Sequence, residues 1–86
     1  MIKIWAKIIK NNKIIKQYVY ENKSKFNEQN FLNYLIEICK ELDLQTPILL
    51  NNHITNFLEF HSVKFFPYDF LEECNFDYFL IEDISS

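Results

Sequence analysis

The stretch Asn27–Leu42, NEQNFLNYLIEICKEL, carries the one unambiguous period in the chain. At about 100° per residue Phe31, Leu35, Ile38, Cys39 and Leu42 fall on one side with Leu32 and Tyr34 flanking them, while Gln29, Asn33, Glu37, Lys40 and Glu41 fall opposite. The spacing predicts an amphipathic helix over 27–42. Asn27 is placed to accept from the free amides of the first turn, and Glu28 meets the positive end of the helix dipole. Asp43 is ill suited to a last turn and Pro47 pushes Thr46 out of the α region, so the helix should stop between Leu42 and Gln45. An apolar face this wide is more than one neighbouring helix would cover, and asks for a sheet.

The preceding segment supplies that sheet. Residues 2–10 and 13–20 are strand-like runs separated by Asn11-Asn12, and a two-residue loop of this kind fits a type I′ hairpin. If Lys10 pairs with Lys13, Ile8 faces Ile15, Ala6 faces Gln17 and Ile4 faces Val19 on an apolar side that the helix should cover. The opposite side then carries Ile9 with Ile14, Lys7 with Lys16, Trp5 with Tyr18, and Lys3 with Tyr20. Phe26 is placed to pack over the first helical turn.

After the helix, Pro47–Leu50 reads as a short buried strand, and Asn51 or Asn52 as the cap of a second helix over about 52–60, in which Ile54, Phe57, Leu58 and His61 recur. Phe60 falls off that face. Ser62–Phe66 suits a short strand ended by Pro67, with Asp69 capping one helical turn through Glu73. Phe76–Ile84 reads as the last strand, central and beside the first, because both of its faces are partly apolar. The expectation is a single α+β domain over 1–86, with an antiparallel or mixed sheet of four to five strands led by the N-terminal hairpin and one main helix on one face.

Eighty-six residues are enough for one core. No apolar run approaches the roughly 20 residues that span a bilayer, and the N-terminus alternates lysine with apolar residues where a signal peptide would be continuous, so a cytoplasmic location is expected. Cys39 and Cys74 suit reduced thiols. Glycine is absent, so turns needing positive φ must fall to residues such as Asn.

The hairpin, the helix, then Asp43 with Pro47-Ile48-x-Leu50, Phe57-x-x-Phe60, the Phe65–Phe70 stretch with Asp69, and Phe76-Asp77-Tyr78 resemble a group of short uncharacterised bacterial proteins. These motifs are aromatic and turn residues. The resemblance implies a fold and carries no activity, cofactor or partner.

Charge is unevenly placed along the chain. The first 25 residues hold seven lysines against Glu21, a net +6, and the remainder holds two lysines against eleven acids, a net −9, giving −3 for the whole. Three function classes follow. Trp5, Lys7, Lys16, Tyr18 and Tyr20, read as one hairpin face, have the layout of a single-stranded nucleic-acid platform, in which rings stack on bases and ammonium groups track phosphates. Asp69, Glu72, Glu73, Asp77, Glu82 and Asp83 form a candidate acidic surface for an inhibitor or regulator docking in a basic groove. Fifteen aromatic rings are more than so small a domain hides, with Trp5, Tyr18, Phe60, Phe66 and Tyr68 competing for few interior places, which favours a homodimer or a protein partner met through aromatic surface.

Catalysis finds little support. His53 and His61 are eight positions apart, the wrong spacing for a helical metal pair, and a Cys74, His61, Asp69 site rests on proximity in sequence alone. The expected function is a small non-enzymatic interaction module without cofactor or metal.

Overall fold

The computed structural model describes residues 1–85. Strands β1 (Ile2–Lys10) and β2 (Lys13–Asn22) form the hairpin; a 3-10 turn, Glu28–Asn30, leads into α1 (Phe31–Glu41); α2 (Asn51–Phe60), β3 (Ser62–Phe65) and β4 (Tyr78–Asp83) complete the order. The sheet runs β2-β1-β4-β3 with every neighbouring pair antiparallel. The last strand therefore lies between the first and third, as its two-sided apolar pattern predicts. Both helices pack on one side of the sheet, where Ile2, Ile4, Ala6, Ile8, Phe79, Ile81, Val63 and Phe65 meet Phe31, Tyr34, Leu35, Ile38 and Cys39 of α1 and Phe57 of α2 in one core.

Without glycine, every left-handed residue carries a side chain. Asn11 and Asn12 have φ of 53° and 62° and make the hairpin turn, while Asp43 at 52° and His61 at 58° follow the two helices. Asp43 closes α1 as glycine commonly does: its N–H donates to the Lys40 carbonyl at 3.2 Å, and Leu44 N–H reaches back to Cys39 at 2.9 Å. Asn27 caps the entry by accepting from Gln29 N–H at 3.0 Å. Phe26 packs on Phe31, Tyr34 and Phe57 with ring centroids 5.7–6.1 Å apart, bridging the two helices.

The hairpin register departs from the simple one. Lys10 faces Lys13 and Ile9 faces Ile14, but a bulge then intervenes and Ile8 faces Lys16, Lys7 faces Gln17, Ala6 faces Tyr18, Trp5 faces Val19 and Ile4 faces Tyr20. Ile15 is the extra residue. Because side chains alternate with a period of two, one inserted residue moves everything beyond it to the other face. Tyr18 and Tyr20 turn inward with Ala6 and Ile4, and Ile15 and Val19, expected in the core, are 51% and 41% exposed. The physical reason lies in volume. A large ring at Tyr20 fills the space against Tyr34, with ring centroids 5.8 Å apart, better than a valine would.

Three smaller expectations are also corrected. Pro47–Leu50 is not a strand; its one ladder-like bond is Ile48 N–H to the Asp69 carbonyl at 2.7 Å. The second helix is capped by His53, whose Nδ1 accepts from Leu50 N–H at 2.9 Å, with no cap bond from Asn51 or Asn52. Asp69 ends a short 3-10 turn, Pro67–Asp69, where its carboxylate accepts from Phe66 N–H at 2.8 Å; no helix runs on through Glu73.

Candidate interaction surface

The bulge divides the five hairpin residues that the sequence groups together. Trp5 and Lys7 stand on the helix-free face; Lys16, Tyr18 and Tyr20 stand on the helix-covered one. Each is also engaged. Lys16 donates to the Leu42 carbonyl at 3.0 Å, satisfying a free acceptor at the end of α1. Tyr20 is buried, and Asn22 donates to its hydroxyl at 3.1 Å. Tyr18 is half-buried, and burial followed by the nearby Glu41 and Glu37 pushes its phenol up. Lys7 is buried in an ion pair with Glu82, its ammonium 3.8 Å from the centre of the Trp5 ring. Trp5 Nε1 donates to Gln17 at 3.0 Å.

The acidic residues are dispersed in the same way. Asp69 has a side chain only 12% exposed and lies 3.7 Å from His53 Nε2; Glu82 pairs with Lys7; Asp77 accepts from Asn11 N–H at 2.9 Å and Asp83 from Ser85 N–H at 2.9 Å. Glu72 and Glu73 are exposed on the loop after Phe70.

What the fold does bring together is the helix-free face. Reading across β2, β1 and β4 to the residue that follows β3, Ile14, Ile9, Tyr78 and Phe66 form an apolar row, with Phe66 and Tyr78 6.2 Å apart and Tyr68 stacked on Phe66 at 5.5 Å. The next row holds Gln17, Lys7, Leu80 and Lys64; the third holds Val19, Trp5, Glu82 and Ser62. Ile9 is buried yet belongs to none of the helix-side core, because its cover is this row. Tyr68 is 80% exposed and Phe60, off the apolar face of α2 as its spacing predicts, 67%. Its hairpin half, Ile9 with Ile14, is legible in the sequence, whereas Tyr78 and Phe66 join it from segments distant along the chain.

The His53–Asp69 pair is the other feature missed from sequence. Its imidazole is buried, tilted against the Phe65 ring at 4.6 Å, with Nδ1 occupied by Leu50 N–H and Nε2 turned to Asp69. Nδ1 is spent at the start of α2 and Nε2 faces Asp69 in the loop after β3, which is a structural use. The adjoining depression, about 250 Å³, is smaller than the roughly 300–1,000 Å³ of pockets that enclose small ligands. Among the described residues no three of His, Cys, Asp and Glu converge as a metal site, and no helix is long and apolar enough to cross a membrane. Asp69 thus meets His53, and Cys74 contacts Gln45 and the Glu72 carbonyl. Comparison with family models, curated proteins and solved structures found no match.

Proposed function

We propose that the chain is a non-enzymatic module that docks a protein partner on the helix-free side of its sheet. The observation that supports this reading is the apolar row Ile14, Ile9, Tyr78 and Phe66, which crosses the sheet with no helix above it. Apolar and aromatic residues at the centre with charge at the margin is the composition of protein interfaces. Lys64 and the Lys7–Glu82 pair supply that margin. A nucleic-acid platform draws less support, because Lys7 is already neutralised by Glu82 and Lys16 points to the other face. The acidic inhibitor reading loses Asp69 and Glu82 to internal partners.

The test compares wild type with an Ile14→Lys, Tyr78→Lys double variant, matched by circular dichroism, in capture of cellular proteins, beside a titration of fluorescent single-stranded DNA and RNA. The reading expects protein capture that the double variant loses and no oligonucleotide binding. Oligonucleotide binding with a steep salt slope, lost on replacing lysines, would favour the nucleic-acid class instead.

A further inference from the structure

We infer that the free edge of β2 pairs with the β2 edge of a second copy of this chain, antiparallel about a two-fold axis at Val19. The inference goes beyond the proposed docking face and stands apart from it, since it concerns the backbone edge of the sheet and not the apolar row. The direction of the backbone groups comes from the central strand. Lys3 and Ile9 carbonyls accept from Ile84 and Asp77, both at 2.9 Å, so the odd residues of β1 turn toward β4 and the even ones toward β2. Gln17, Val19 and Glu21, opposite Lys7, Trp5 and Lys3, therefore aim their N–H and C=O groups away from the sheet.

Apart from the bulge at Ile15 near the turn, this edge has little of the usual protection. It is ten residues long and holds no proline, and Lys16, the lysine placed to guard it, is folded back onto the Leu42 carbonyl. The opposite edge, β3, is four residues long, ends before Pro67 and has α2 packed against it. Only β2 offers a long template.

Its side chains are self-complementary in one register. Centring on Val19 pairs all three outward residues, Gln17 with Glu21 of the second copy, Val19 with Val19, and Glu21 with Gln17; on the helix side Tyr18 meets Tyr20. Like charges never oppose each other. Gln17 already gives its carbonyl oxygen to Trp5, leaving its amide hydrogens for the carboxylate of Glu21. Centring on Tyr18 instead sets Glu21 against Ile15 and draws the bulge into the ladder. The Val19 register joins two four-stranded sheets into one continuous sheet, with the Trp5–Val19 rows of both copies in line.

The experiment is sedimentation equilibrium from roughly 5 µM to 1 mM, on wild type, Val19→Lys and Ile14→Lys, with folding checked by circular dichroism. Amide hydrogen exchange of wild type at both ends of the range needs no variant. Expected are a mass that doubles with concentration, slowed exchange at Gln17, Val19 and Glu21 in the doubled species, a monomeric Val19→Lys and a dimeric Ile14→Lys. A wild type that stays monomeric throughout overturns the second copy and leaves the proposed face to its own capture test. Dimers lost with Ile14→Lys but kept with Val19→Lys would overturn the edge while favouring the face. Dimers insensitive to both would overturn the edge and remove self-association from the face.

Discussion

Cys39 shows how far one side chain's chemistry is set by its position on the helix. It lies at the centre of the apolar face of α1, fully buried, and burial pushes its thiol up to about 12, with the nearby Thr46 side chain opposing in part. In the unfolded chain the same thiol titrates near 9.0. The folded protein thus holds the proton more tightly, so its stabilising effect is complete below about pH 9 and is lost as pH rises toward 12. Urea midpoints measured from pH 7 to 11 should fall on the alkaline side, and Cys39→Ala should have a flatter alkaline limb than wild type. Tyr18 and Cys74, also pushed up chiefly by burial, act in the same direction and leave a remainder. Residues of this kind are legible in sequence, because the helical period alone places Cys39 inside. His53 is not: its role depends on Leu50 N–H behind it and on Asp69, which arrives from sixteen positions further along the chain.

At the scale of elements, local chemistry is readable where one segment settles it. The Asn-Asn turn, the Asn27 cap, the stop after Leu42 and the inward face of α1 each follow from side chains within a few residues of one another. The bulge at Ile15 does not, because either register leaves β2 with apolar residues on both faces, and only packing against Tyr34 decides between them. Three substitutions separate the outcomes. Leu35→Ala, at a fully buried site, should cost about 2–5 kcal/mol, and Tyr20→Ala about 3–5 kcal/mol. Val19→Ala should cost less than about 1 kcal/mol. Chemical denaturation measures all three, and a Val19 loss exceeding that of Tyr20 would mean that the hairpin packs without its bulge.

Across the whole molecule, folding undoes the charge segregation of the sequence. The basic strand β1 lies directly against the acidic strand β4, so Lys7 meets Glu82 and the Asn11 amide meets Asp77, while Lys3 lies 3.9 Å from Glu21 within the hairpin. Linear charge counting misses this, although the expected place of the last strand beside the first implies it. The apolar row on the helix-free face is legible only in its hairpin half, Ile9 with Ile14, because Tyr78 and Phe66 come from segments that the sheet aligns. Both the open face and the free edge depend on which residues of β2 turn toward β1, and amide hydrogen exchange reads that directly at a concentration low enough for a monomer. The bulged register predicts slow exchange at Lys16, Tyr18 and Tyr20, whose amides face β1, and fast exchange at Gln17, Val19 and Glu21. An inverted pattern, slow at Ile15, Gln17 and Val19 and fast at Lys16, Tyr18 and Tyr20, would contradict it.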